Sequence, residues 1–162
     1  MPKITPFLWF DNQAEEAAKF YTSIFKNSKI DKIIRYPKEA AEKIEREPES
    51  VMTVEFTLDG VEFVALNAGP QFKFNESVSF VVNCETQAEI DYYWGKLSAD
   101  GGSTGACSWL KDKFGLSWQV QPRLLIQMLS DSDKAKAERV MNAMMEMDKI
   151  DIDKLKVAYA GE

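Results

Sequence analysis

The sequence predicts an α+β chain in which one β-α-β-β-β unit occurs twice and is followed by helices. Three observations carry this. A short apolar run precedes an amphipathic helical pattern twice, at Phe7-Leu8-Trp9-Phe10 and at Phe80-Val81-Val82-Asn83. Each helical pattern contains a Gln-Ala-Glu triplet and an aromatic pair, Gln13-Ala14-Glu15 with Phe20-Tyr21 and Gln87-Ala88-Glu89 with Tyr93-Trp94, offset by one residue between the copies. Each half then supplies a β-hairpin signal, and a methionine-rich helical region closes the chain. Two modules of this kind side by side can form a curved mixed sheet around a cavity.

In the first unit, Ile4 to Phe10 reads as a strand and Asp11-Asn12 as a helix start. Ala14, Ala17, Ala18, Tyr21, Ile24 and Phe25 recur at helical spacing, which lays one face of a helix on a sheet. Lys29 to Tyr36 reads as a second strand, and the Lys- and Glu-rich stretch 38–50 as a short solvated helix or a mobile insertion. Val51 to Leu58 alternates apolar and polar residues, Asp59-Gly60 is a two-residue hairpin turn, and Val61 to Asn67 returns as its partner.

In the second unit, Ser77 to Cys84 is a strand and Thr86 with Glu89 has capping-box spacing. Ile90, Tyr93, Trp94 and Leu97 share one helical face. Cys107 to Leu110 and Leu116 to Val120 flank Lys111-Asp112-Lys113-Phe114-Gly115 as a hairpin. After Pro122 come three helices: Leu124 to Leu129, a stripe of Ala137, Val140, Met141, Met144 and Met145, and a last one after Asp153. The methionine stripe reads as adaptable core or interface packing. The expected boundaries are about 3–70 and 76–122 for the modules and 123–160 for the terminal helices of one domain.

Composition narrows the function. The chain has 162 residues, 28% of them charged, and a formal net charge of −6, which argues against nucleic acid and against an anionic membrane surface. No run is long and apolar enough to span a bilayer, and the opening Met1-Pro2-Lys3-Ile4-Thr5 lacks the pattern of a secretory signal, so the cytosol is the expected compartment. Cys84 and Cys107 read as buried free thiols. There is no histidine, which removes Ser-His-Asp and Cys-His machinery and every His-containing metal site.

Several stretches resemble PhnB-like proteins of the glyoxalase/bleomycin-resistance, or vicinal-oxygen-chelate, superfamily. They are Ile4-Thr5-Pro6-Phe7-Leu8-Trp9-Phe10-Asp11 with Gln13-Ala14-Glu15-Glu16-Ala17, Leu66-Asn67-Ala68-Gly69-Pro70 with Phe72-Lys73-Phe74, and Trp109-Leu110-Lys111-Asp112-Lys113-Phe114-Gly115-Leu116-Ser117-Trp118-Gln119. The resemblance covers nearly the whole chain, through the terminal helices. The sequence departs from it at Ala68 and Ser108, where relatives often carry glycine. It implies paired β-α-β-β-β modules, the glyoxalase fold, and a homodimer. Many such proteins bear the label demethylubiquinone methyltransferase, yet the first strand here ends in Asp11-Asn12-Gln13, without the glycine-rich turn of a doubly wound methyl-donor site.

Enzymes of the superfamily hold a divalent metal at positions that fall near Ile4, Phe63, Ser77 and Gln119, and only Gln119 could ligate; a one-residue shift brings in Glu62. The expectation is therefore a protein without metal or other cofactor that binds a small molecule in the cavity between the modules. Candidate walls are Trp9, Phe72, Trp109 and Trp118; candidate polar anchors are Asn67, Gln71, Ser79 and Gln119. Strand alternation forbids Trp118 and Gln119 from facing the cavity together. Two alternatives stand beside it. One is a superfamily enzyme of lyase, dioxygenase or transferase type, with an atypical metal on oxygen ligands or a metal-free acid–base site, using a cavity carboxylate such as Glu55, Glu62 or Glu76. The other is an inactive dimeric scaffold.

Overall fold

A computed structural model of the chain describes residues 2–162. The described chain divides into two compact units, residues 2–73 and Phe74–Glu162. The first holds β1 (Phe7–Phe10), α1 (Ala14–Ile24), β2 (Lys29–Arg35), α2 (Lys38–Lys43), β3 (Val51–Leu58) and β4 (Val61–Asn67), in a four-stranded sheet of order β1-β4-β3-β2. The second holds β5 (Ser79–Cys84), α3 (Gln87–Leu97), β6 (Ser103–Thr104), β7 (Trp109–Lys111) and β8 (Ser117–Pro122), in a sheet of order β5-β8-β7-β6. It continues into α4 (Arg123–Leu129), α5 (Lys134–Met145) and α6 (Ile152–Ala160). In each sheet the first strand pairs parallel with the last, β1 with β4 and β5 with β8, and the other pairs are antiparallel. The β-α-β-β-β repeat is thus present in both units, as two mixed sheets.

Period-two alternation gives each sheet one dry face. In the first unit Leu8, Phe10, Val54, Phe56, Leu58, Phe63 and Ala65 are buried. Ala14, Ala17 and Ala18 of α1 are fully buried too; their small side chains let helix and sheet approach closely, and Tyr21 stacks on Phe56, which stacks on Phe63. Asp59-Gly60 forms the expected turn with both residues at positive φ, +45° and +82°, as a type I′ hairpin requires. Gln13, not Asp11 or Asn12, sits at the N-cap of α1, and it makes no side-chain cap. The first amide, Ala14 N–H, instead donates to Asn67 Oδ1 at 2.8 Å from the end of β4.

In the second unit, the dry face holds Val82, Cys84, Leu110, Trp118 and Val120, with Ile90 and Leu97 buried on α3. The Thr86 half of the capping box forms, with Thr86 Oγ1 accepting from Glu89 N–H, while the Glu89 carboxylate accepts from Glu85 N–H, one residue before the cap, at 2.6 Å. The strand expected from Cys107 begins at Trp109. Cys107 and Ser108 instead take left-handed backbone, φ +56° and +74°, and donate their amides to the Met147 and Asp148 carbonyls between α5 and α6. Gln87 fastens the same loop, donating to the Ile150 carbonyl and accepting from Ile152 N–H. The methionine stripe is not core. Of α5 only Val140 is buried, and Met145 is 60% exposed, while the buried methionines among the described residues are Met128 and Met147. Ala41 is buried in the charged stretch 38–50, which is therefore packed at α2 and not merely solvated.

Ser108 is the one place where side chain and backbone disagree twice: its φ favours glycine, and its buried hydroxyl has no hydrogen-bond partner. Left-handed backbone costs a residue with a Cβ about 1–2 kcal/mol, and a buried unpaired hydroxyl about 1 kcal/mol more. Against this stands the roughly 0.4–1 kcal/mol of extra unfolded-chain freedom that glycine brings. Ser108→Gly is expected to stabilise the protein by about 1 kcal/mol, seen as a higher urea midpoint at unchanged slope.

Candidate functional site

The face of the second sheet opposite α3 is the polar one. Cross-strand partners share a face, and the register sets Ser79 opposite Ser117, Ser117 opposite Lys111, and Lys111 opposite Ser103, one row across all four strands. The neighbouring row is Val81, Gln119 and Trp109. Gln119 Nε2 donates to Ser79 Oγ at 2.9 Å, tying the two rows together. A cleft of about 250 Å³ opens here, lined by Glu76, Ser103, Thr104, Trp109, Lys111 and Ser117 among others. The Lys111 ammonium pairs with the Glu76 carboxylate, and both side chains are well exposed. That ammonium holds the Glu76 carboxyl below its ordinary range. Ser117 is 1% exposed, and its hydroxyl has no partner.

Three of the sequence candidates, Ser79, Trp109 and Gln119, therefore stand on one surface. Trp118 faces the other way, into the core, where its indole N–H donates to Asp112 Oδ2 at 2.9 Å. Asp112 is 2% exposed, and its Oδ1 accepts from Phe114 N–H and Leu116 N–H, which builds the turn between β7 and β8. Lys111, Ser117 and Ser103 were not singled out in the sequence. Their signal lay in the hairpin register, which sets Lys111 beside Ser117, and in β6, which is two residues long and has no periodicity to read.

In the first unit, Trp9 is half-buried, and its indole N–H donates to the Gly69 carbonyl at 2.8 Å. Phe72, 66% exposed, meets the Trp9 ring edge-on at 4.9 Å. Gln71 folds over Gly69, whose φ of +103° and lack of a Cβ make room for it: a Cβ there would meet Gln71 Oε1 at 2.4 Å. Asn67 does not join them. It is buried on the α1 side, with Oδ1 on Ala14 N–H, Nδ2 on the Val51 carbonyl, and its own carbonyl accepting from Tyr36 Oη. Both ends of the Asn67 amide and its backbone carbonyl are committed to the fold. A separate cleft of about 370 Å³ on this unit is lined by Lys29, Asp31, Glu55, Thr57 and Glu62 among others. There Lys29 and Thr57 hold Asp31 below the ordinary carboxylate range.

The superfamily's metal positions do not fit a metal here. Ile4 is an apolar side chain 86% exposed, Phe63 is buried in the core stacked on Phe56, Ser77 Oγ donates to Asn75, and Gln119 donates to Ser79. Among the described residues no three His, Cys, Asp or Glu side chains cluster as metal ligands. A methyl donor's doubly wound site does not fit either, because both sheets are mixed and four-stranded.

The thiols differ from each other. Cys84 is buried, but Cys107 is only half-buried; both are free. Burial, then Glu89 and Glu85, push the Cys84 thiol up to about 12. At pH 8, iodoacetamide followed by peptide mass mapping is expected to label Cys107 well ahead of Cys84. The unfolded thiol ionises near pH 8.5. Stability from keeping Cys84 neutral is thus full below the unfolded value of about 8.5 and is lost as pH rises from there toward 12. Equal labelling of both thiols would contradict this.

The fold and its open polar sheet faces place the chain in the glyoxalase/bleomycin-resistance superfamily. Within it, the chain belongs to the PhnB-like family, whose model, described as 3-demethylubiquinone-9 3-methyltransferase, matches residues 2–121. A solved structure of a PhnB protein from Bacillus cereus, also named for 3-demethylubiquinone-9 3-methyltransferase, is 37% identical. It covers 75% of this chain and 99% of its own, with a TM-score of 0.66. Protein PA1353 from Pseudomonas aeruginosa has the same fold at 20% identity, covering 75% of this chain and 98% of its own at a TM-score of 0.60. The fosfomycin resistance protein FosX from Mesorhizobium loti shares the fold at 11% identity, covering 81% and 100% at a TM-score of 0.53. No curated protein matches. The family model ends at residue 121, so α4, α5 and α6 lie outside the matched range.

Proposed function

We propose that the protein is a small-molecule-binding member of the PhnB-like family that works without a metal, as a cytosolic homodimer. The observation that carries this is the open face of the second sheet. A cleft there has one aromatic wall, Trp109, a floor of hydroxyls, and a buried Ser117 hydroxyl with no partner inside the protein. Buried polar groups normally find partners, and apolar walls with a few convergent polar groups are the usual composition of ligand sites. At about 250 Å³ the cleft suits a small metabolite. Ser79 and Gln119, hydrogen-bonded to each other on the same face of the sheet, offer a second polar anchor. The acidic balance and the lack of any described helix long and apolar enough to cross a membrane fit a small-molecule partner better than nucleic acid or lipid.

The test is a compound screen by thermal shift, followed by affinity measurements on variants. Trp109→Ala is expected to weaken the best compound about tenfold, through loss of ring contact. Gln119→Leu is expected to weaken it about fivefold, through loss of one hydrogen bond. Both variants should keep the far-UV spectrum of the parent. Light scattering should give twice the chain mass. Compounds that bind both variants as tightly as the parent would place the ligand elsewhere and sink the reading.

A further inference from the structure

The ligand class follows from the donors in the cleft, taking the second sheet's open face as the binding site. The row Ser79, Ser117, Lys111 and Ser103 holds three hydroxyls and one ammonium, and no carboxylate. Thr104 also lines the cleft, but it pairs with Leu110 and so belongs to the opposite face of the strand. An ammonium only donates, and a hydroxyl can donate to whatever faces it. The acidic member of the lining is Glu76, and it sits on Lys111.

That ion pair is the exchangeable part. Lys111 and Glu76 are 41% and 61% exposed, and pairs this open to water hold loosely. Ser117, directly across from Lys111 on the next strand, is buried and has no competing partner. A ligand carrying an oxyanion would replace Glu76 on the ammonium and accept from the Ser117 hydroxyl, a charge-assisted pair of hydrogen bonds. Trp109, one row over on the same strand, offers its ring to a flat apolar body. We infer that the cleft of the second unit takes a small organic anion, a carboxylate or phosphate attached to a flat apolar body, with Lys111 and Ser117 on the anion, Trp109 on the body, and Glu76 as the counter-ion it displaces.

The probes are benzoate and phenyl phosphate as the two anions and benzamide as their neutral counterpart. Each is titrated into the full-length ¹⁵N-labelled protein and followed at the amides of Ser103, Trp109, Lys111 and Ser117. The anions are expected to bind about tenfold tighter than benzamide, and the tighter of the two identifies the head group. Lys111→Met should erase the difference. Glu76→Gln should tighten the anions about threefold, because the ammonium no longer has a charged competitor. Both substituted side chains are well exposed, so the variants are expected to fold, and their spectra report it. Benzamide binding as tightly as the anions, or Lys111→Met leaving anion affinity intact, overturns the anion class while leaving the cleft a binding site. A screen in which no compound of any charge moves those four amides overturns the binding site itself.

Discussion

Asp112→Ala is expected to cost about 3 kcal/mol of stability, because a single buried carboxylate gathers the β7–β8 turn and a core tryptophan. Its Oδ1 accepts from Phe114 N–H at 2.9 Å and from Leu116 N–H at 3.1 Å, and its Oδ2 accepts from the Trp118 indole at 2.9 Å. Removing it leaves three donors unpaired, and a buried unpaired group costs about 1–3 kcal/mol. The Phe114 amide is only part-buried and can turn to water, which keeps the total near the lower end of the sum. In a chain of this length the midpoint of thermal unfolding should fall by about 6–12 °C. Asp112→Asn should fall between parent and alanine, since one of its two ends must present an NH₂ group to an N–H donor. Urea titration followed by tryptophan fluorescence reads both variants. A loss under about 1 kcal/mol for the alanine variant would mean that water replaces the carboxylate.

This turn makes one structural unit of the stretch Trp109 to Gln119. Asp112, Gly115 and Trp118 are held together by the geometry of one turn: Gly115, at φ +87°, donates to the Asp112 carbonyl, and Leu116 receives Asp112 N–H in return. The same turn fixes the β7–β8 register and so brings Lys111 to Ser117. The motif makes the scaffold of the cleft, and the cleft's own residues alternate with it along the strands.

Much of this was legible because local rules govern it. Helix α1 announces itself by alanines at helical spacing, α3 by Thr86 and Glu89, and the first hairpin by Asp59-Gly60. What could not be read is what distant segments decide. The N-terminus of α1 is capped from β4, across 53 residues of sequence, so the Asp11-Asn12 signal next to it goes unused. The backbone of Cys107 and Ser108 is turned to meet the loop between α5 and α6, which no local pattern foretells. The two-residue β6 exists only through its pairing with β7. On the candidate site, alternation along β8 points Trp118 and Gln119 apart. The same rule along β4, where Phe63, Ala65 and Asn67 are buried together, sends Asn67 to the core.

Asn67 supplies the second large effect. Its amide is matched at both ends, with Oδ1 on the first amide of α1 and Nδ2 on the Val51 carbonyl at 3.1 Å. Asn67→Ala leaves a helix N–H and a strand carbonyl unpaired and should cost about 2–3 kcal/mol, comparable to losing an N-cap and one buried hydrogen bond. Asn67→Asp is the sharper experiment. The carboxylate keeps the contact with Ala14 N–H, and the helix N-terminus favours its charge. Its other oxygen, however, faces the Val51 carbonyl where a donor stood, and the charge is buried. Protonation restores that donor as an O–H, so the native state holds the proton more tightly than the unfolded chain, and the folded pKa lies above the unfolded value of about 3.9. The sign follows: the variant's deficit against the parent is largest at neutral pH and shrinks as pH falls through the raised folded value. Urea midpoints of parent and Asp variant at pH 7 and pH 5 should converge toward the acid side. A deficit that grows on acidification would show that the carboxylate finds a donor in place of the Val51 carbonyl, and that Asn67 matters to the fold only through the α1 cap.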